Sequence, residues 1–312
     1  MLEVYHLEPL TKNLPTVGEF IDDISEYQIV GNDCDLYDAS TGKLVAKFRK
    51  NKIKENKNIE NFVESNRPLF NRLKESRGAA AGQIDKNKLR ASVKDIFKIN
   101  NTNYRTGYVK QDGTKSKTSI CNLSKSNTIG YLNTACRGGY ISGTHLSRYN
   151  LDYPERYKRS IPLIEDISDV LKEIDKSKYD NNLKILDAKY KIGDSCFSTV
   201  TINSSWQSAS HTDTNNGSDS FAVMLVLTDY KNDNHYTGGH FLLPEFKMAF
   251  DVRDGDVIMC DTQRYLHCNA PLEPLEKNKI VGNYSAQVIK NNWYLNRLSI
   301  VCYIKKCCIY KN

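Results

Sequence analysis

Phe197-Ser198-Thr199-Val200-Thr201-Ile202-Asn203 alternates apolar residues with hydroxyl and amide side chains. That period of two is the signature of a strand with one face in a core. The same rhythm of short strand and turn continues through 208–213, 221–227, 239–243, 248–252, 256–261 and 298–304. Many short strands at near-regular spacing predict a β-sandwich or barrel. Asp254-Gly255-Asp256 reads as a hairpin turn between two of them. Upstream the period changes. Leu163, Ile164, Ile167, Val170, Leu171 and Ile174 recur at helical spacing and predict a helix over 161–174. Ile59, Phe62, Val63, Leu69, Phe70 and Leu73 predict another over 58–76, broken or kinked at Pro68. Residues 27–30 and 43–48 flank Asp38-Ala39-Ser40-Thr41-Gly42 and predict a strand–turn–strand unit. Residues 128–132 read as a strand and 101–126 as loop or hairpin. Helices first and strands later predict an α+β chain. Its mixed support region spans 1–190, including helices and hairpins, and its β core spans 191–312.

The core carries a distinctive set of polar residues. His211-Thr212-Asp213 sits in one strand candidate, His267 lies further on, and Arg297 opens the last strand. Side chains at i and i+2 of a strand share a face, so His211 and Asp213 are expected to point inward together. A histidine and a carboxylate two apart, joined by a distant histidine, match the two-histidine, one-carboxylate facial set that holds iron(II). Three coordination sites then stay open, two for a chelating 2-oxo acid and one for dioxygen. The distal carboxylate of that acid needs a buried cation, and the planar guanidinium of Arg297 suits it bidentately. Arg297 and Ser299 share a strand face, so both are candidate cosubstrate contacts. Asn203 is a candidate for orienting cosubstrate or metal-bound water, and Arg137 for contacting substrate phosphate or the cosubstrate.

With these residues in view, the stretch from Phe197 to Asp213 resembles the oxygenase domain of the TET and base-J-binding-protein group. So do Tyr236-Thr237-Gly238-Gly239, Phe250-Asp251-Val252-Arg253-Asp254-Gly255-Asp256, His267-Cys268-Asn269-Ala270-Pro271 and Arg297-Leu298-Ser299-Ile300-Val301. A looser likeness to viral and protist members extends to Ser126-Asn127-Thr128-Ile129-Gly130-Tyr131 and Cys136-Arg137. The resemblance implies a double-stranded β-helix of the jelly-roll or cupin type. It also implies iron(II), 2-oxoglutarate and dioxygen, with ascorbate as a supporting reductant. The expected reaction is oxidation of the methyl group of thymine or 5-methylcytosine in nucleic acid, DNA ahead of RNA. Carried over residue by residue, it puts His211, Asp213 and His267 on iron and Arg297 on 2-oxoglutarate. The interval between His267 and Arg297 is longer than the group's pattern, so either 277–296 is an insertion or the cosubstrate anchor is another cation, such as Lys277 or Lys279. The Cys-rich module that precedes the core in animal TET enzymes is absent from this sequence.

Bulk composition narrows the partners. Of 312 residues, 39% are hydrophobic and 26% charged, as in an ordinary soluble globular protein. No apolar run approaches membrane-helix length. The start, Met1-Leu2-Glu3-Val4-Tyr5-His6, has no basic-then-apolar leader, so an intracellular protein is expected, cytoplasmic or nuclear, including that of a virus-infected cell. Nine scattered cysteines suggest reduced thiols. Residues 51–150 carry 19 Lys and Arg against 7 Asp and Glu, although the whole chain is only +7. Such a basic segment fits a polyanion-binding face, and equally a solvated lysine-rich surface. No obligate protein partner is evident. His235 and His240 read as outer or surface residues, Gly238-Gly239 as a turn, and Trp206 and Trp293 as core or base-stacking residues. Fold and metal chemistry do not fix a substrate. A protein side-chain or small-molecule (amino acid) hydroxylase on the same fold is therefore the alternative.

Overall fold

The computed structural model describes residues 2–54, 56–70, 72, 74–76, 78–83, 122–133, 143–228, 236–274 and 297–310. Its first strands are Glu3–Leu7 (β1), Gln28–Val30 (β2), Cys34–Asp38 (β3) and Lys43–Arg49 (β4). Next come Lys74–Ser76 (β5), Asn122–Ser124 (β6), Ser126–Asn133 (β7) and Thr144–Leu146 (β8). Thr199–Ser204 (β9), Ala222–Leu227 (β10), Tyr236–Gly238 (β11), Phe241–Leu243 (β12) and Met248–Phe250 (β13) follow. Val257–Cys260 (β14), Cys268–Asn269 (β15), Leu272–Pro274 (β16) and Leu298–Tyr303 (β17) complete the set.

A nine-stranded sheet runs β1-β3-β4-β14-β10-β17-β9-β7-β8, and a four-stranded sheet runs β15-β12-β13-β2. The pairs β11–β16 and β5–β6 stand apart. The large sheet is covered on both faces, which is why β10, Ala-Val-Met-Leu-Val-Leu, is buried at every position. Val223, Leu225 and Leu227 join Ile300, Cys302, Val200 and Ile202 under the helices. Met224 and Val226 face the other way, onto Phe241, Leu243 and Phe250 of the small sheet. Two facing sheets that share a core, with helices banked outside the larger, make the expected α+β double-stranded β-helix.

The helices Lys57–Phe70 and Pro154–Ile174 lie on the outer face, burying Ile59, Phe62, Leu163, Ile164, Ile167 and Leu171. The first runs through Pro68 and ends at Phe70 instead of continuing to 76, and Lys74–Ser76 is strand β5. The second begins earlier than the apolar stripe suggests, with Pro154 in its first turn, where a missing N–H removes no intrahelical bond.

Two turn assignments need correction. The Asp38–Gly42 turn joins β4 to β3, whereas β2 pairs in parallel with β13 of the other sheet. Asp254-Gly255-Asp256 is a turn, with Gly255 at φ +75, but not a hairpin. The strand before it belongs to the small sheet and the strand after it to the large one, so the chain crosses between sheets there. Among the described residues no helix is long and apolar enough to cross a membrane.

Candidate metal centre and its surroundings

The 208–213 segment does not form the continuous strand expected of it. His211 makes a single antiparallel bridge to His267. His211 N donates to His267 O at 3.1 Å, and His267 N donates to His211 O at 2.9 Å. Asp213 N then reaches Thr262 O at 2.8 Å. The backbone pairing itself sets the two imidazoles side by side, with ring centroids 4.2 Å apart. Side-chain alternation along a longer strand is not needed to bring the three residues together. One ligand atom from each of His211, Asp213 and His267 lies within 4.8 Å of the others.

The hydrogen bonds fix which nitrogen of each ring is available. His211 Nδ1 lies 2.7 Å from Ala209 O, and His267 Nδ1 lies 3.3 Å from Tyr265 O. A carbonyl oxygen only accepts, so Nδ1 carries the proton in both rings and Nε2 presents its lone pair. Those Nε2 atoms face the carboxylate, at 3.6 Å from Asp213 Oδ1 for His211 and 3.7 Å from Oδ2 for His267. Burial, reinforced by neighbouring His211, pushes the His267 pKa down to about 4, so the ring is neutral at physiological pH. Phe241 stacks beside it at 5.8 Å and 26°. Two imidazole nitrogens and one carboxylate are a donor set that suits iron(II).

Arg297 enters the same interior from the start of β17. It is 3% exposed, and its Nη1 donates to Ser299 Oγ at 3.0 Å. Across the sheet Ser299 is in register with Asn203, whose Oδ1 is buried with no hydrogen-bond partner among the described residues. Gly239 has φ +68, and a Cβ there would lie 3.2 Å from Arg297 Cδ and 2.6 Å from Leu272 Cδ2. Gly238 ends β11 and Gly239 follows it, both at positive φ, so the pair is not the separate turn expected, and at Gly239 the missing side chain lets backbone lie against the arginine stem.

Two more neighbours complete the surroundings. Of the outer and surface positions expected for His240, the first holds. Its Nε2 is 3.6 Å from Asp251 Oδ1, and its Nδ1 is buried without a hydrogen-bond partner among the described residues. Burial lowers its pKa; Asp251 opposes this, and Arg253 and Arg297 add to it. Only the Gly-Gly immediately before it hinted at such a position. Tyr303, at the far end of the arginine's strand, is buried, with its hydroxyl 3.1 Å from Thr201 Oγ1. Burial pushes its phenol well up, and Asp213 adds to that shift. The alternation of β17, which puts residue 303 on the same face as 297 and 299, was the available signal. Trp206 is 6% exposed, in the core. Arg137, Cys136, His235, Trp293 and the 277–296 segment lie outside the described residues.

Comparisons with known proteins converge on one family. Residues 146–306 match the TET/JBP family model, described as the oxygenase domain of the 2OGFeDO superfamily. The bifunctional helicase and thymine dioxygenase JBP2 of Leishmania tarentolae is 26% identical over 179 residues, which cover 55% of this chain and 14% of that protein. The thymine dioxygenase JBP1 of Trypanosoma brucei brucei is 27% identical over 161 residues, covering 50% of this chain and 16% of that protein. The chain thus spans only a small part of the length of these relatives. A solved structure of NgTET1 in complex with 5mC DNA superimposes with a TM-score of 0.53 at 13% identity, covering 100% of this chain and 84% of that one. That likeness concerns the fold. The superfamily's designation names 2-oxoglutarate and iron, which agrees with the donor set described above. With the matched segment spanning half of the sequence and enclosing His211, Asp213, His267 and Arg297, the chain belongs to the TET/JBP family of oxygenase domains.

Proposed function

We propose that this protein is an iron(II)- and 2-oxoglutarate-dependent dioxygenase that hydroxylates the methyl group of thymine or 5-methylcytosine in DNA. The observation that carries the reading is the convergence of two Nε2 lone pairs and the Asp213 carboxylate within 4.8 Å, inside the barrel that Arg297 also enters. His211, Asp213 and His267 hold the metal. Arg297, with Ser299, binds the distal carboxylate of the cosubstrate, since an arginine so deeply buried is best matched by an anion. Asn203 orients a ligand from the facing strand. Bound iron and 2-oxoglutarate supply the oxidation that puts one atom of dioxygen into a C–H bond, with succinate and carbon dioxide as co-products. The protein's part is orientation and exclusion of water, which the apolar inner wall of Met224, Val226 and Phe241 favours.

The thymine dioxygenase activity named for the Leishmania and Trypanosoma relatives supports a methylated pyrimidine as substrate. A base in duplex must be flipped out or offered single-stranded to reach such an interior. The basic 51–150 segment, Arg137 included, then grips phosphate, so binding falls steeply with salt. In this reading residues 191–312 carry the chemistry and residues 1–190 support it. The protein works inside the cell, in cytoplasm or nucleus, and ascorbate assists by keeping iron ferrous. Nucleoside mass spectrometry of DNA incubated with the iron-loaded protein and 2-oxoglutarate tests this. Gain of one oxygen on a methylated pyrimidine is the expected result. Unmodified DNA beside a hydroxylated peptide or amino acid would move the substrate to the alternative class.

A further inference from the structure

Asn216 sits three residues beyond Asp213 and is 5% exposed. Its Nδ2 donates to Asp213 Oδ2 at 3.1 Å and to Thr262 Oγ1 at 3.3 Å. The opposite amide orientation would set two oxygens against each other at the carboxylate, so chemistry alone selects this one. The backbone of Asn216 is held from three sides. Its N–H donates to Asp213 O at 3.0 Å, and its carbonyl accepts from Gln263 Nε2 at 2.9 Å. The chain after β17 runs alongside, with Asn216 bridged to Lys305, Gly217 N bonded to Ile304 O at 2.8 Å and Lys306 N bonded to Asn215 O at 2.9 Å. The donor amide therefore has little freedom to follow the carboxylate if the carboxylate turns.

We infer that Asn216 is a positioning residue that engages one oxygen of Asp213 and so keeps this carboxylate from chelating the metal with both. The inference rests on the metal-site reading above. Each oxygen faces one imidazole, Oδ1 at 3.6 Å from His211 Nε2 and Oδ2 at 3.7 Å from His267 Nε2, but only Oδ2 also accepts from the Asn216 amide. A carboxylate free to chelate takes a fourth coordination site, and the 2-oxo acid and dioxygen need the three that a one-oxygen Asp213 leaves open. Asn216 also ties the two ligand-bearing loops together, because Thr262 and Gln263 lie just ahead of His267. An outer hydrogen bond of this kind orients a ligand and tunes the affinity of the ion.

The test is titration of the metal-free full chain with Mn(II), comparing wild type with Asn216→Ala, Asn216→Leu, Gln263→Ala and His211→Ala. Asn216→Leu keeps the volume should the alanine variant not fold. We expect Mn(II) affinity to fall about 10- to 100-fold in the Asn216 variants, and only a few-fold in Gln263→Ala, which leaves the Asp213 contact in place. With Fe(II) under anaerobic conditions, the visible charge-transfer absorption that 2-oxoglutarate induces should need higher cosubstrate concentrations in the Asn216 variants. Wild-type Mn(II) affinity and a wild-type absorption titration in those variants would overturn the inference and leave the metal site standing. Equal Mn(II) binding by wild type and His211→Ala, or none by either, would remove the metal site itself and the inference with it.

Discussion

Along β17, Leu298, Ile300 and Cys302 turn toward the helices, while Ser299, Val301 and Tyr303 turn toward the small sheet, following Arg297 just before the strand. The neighbouring strand repeats the division, with Val200 and Ile202 outward and Thr201 and Asn203 inward. The outward face is dry and packed, and its residues are interchangeable in kind. The inward face places an arginine, two hydroxyls, an amide and a phenol where only specific partners satisfy them. The same six-residue strand therefore serves stability with one parity and chemistry with the other. Substitutions on the two faces should separate cleanly in what they change.

The largest effect is expected at the centre of the inward face. His211→Ala, Asp213→Ala and His267→Ala should abolish turnover and weaken metal binding by more than about 100-fold, beyond the loss of an outer hydrogen bond. Calorimetry of the metal-free proteins should show melting temperatures near wild type. A large drop there would make these residues structural. On the outward face, Phe62→Ala should destabilise by about 3–5 kcal/mol in denaturant titration. Where it remains folded, its KM for 2-oxoglutarate should be unchanged. A shifted KM would show that the faces are coupled.

Arg297→Lys should raise the KM for 2-oxoglutarate roughly 10-fold or more, because a point ammonium cannot reproduce a bidentate fork. An unchanged KM would redirect attention to Lys277 or Lys279. Gly239→Ala blurs the comparison deliberately. It forces a side chain into a left-handed φ and against the stem of Arg297, so a loss of about 1–3 kcal/mol in stability should accompany a higher KM. The smallest effect belongs to Ser299→Ala, a few-fold rise in KM consistent with about 0.5–1.5 kcal/mol for one hydrogen bond.

The β core was legible because its signals are local. Each strand candidate from 197 onward, apart from 208–213, overlaps a described strand with ends differing by a residue or two, whereas Tyr236–Gly238, Cys268–Asn269 and Leu272–Pro274 had no candidate. What stayed hidden depends on distant partners. The Cys34–Asp38 strand, Cys-Asp-Leu-Tyr-Asp, looks too acidic for a buried strand. In the fold Asp35 pairs with Arg49 of the next strand and Asp38 accepts from Tyr265, contacts between residues 14 and 227 positions apart. The type of candidate metal ligands could be read from the His-x-Asp spacing, but not their support. Ala209 and Tyr265 orient the rings through main-chain carbonyls, which carry no residue signature. For His240 the sequence left an outer and a surface position open, because the residues that enclose it are remote: Asp251 lies across the β12–β13 pair and Arg297 comes from the other sheet.

The inward face is proposed to assemble an oxygenase for methylated pyrimidine in DNA. Its most direct test is succinate release from 2-oxoglutarate by the iron(II)-loaded protein, with and without DNA containing thymine or 5-methylcytosine. Slow release without DNA, a marked stimulation by it, and loss of both in Asp213→Ala are expected. Release that ignores DNA at every salt concentration would contradict the substrate, and no release from a protein shown to bind iron would contradict the oxygenase.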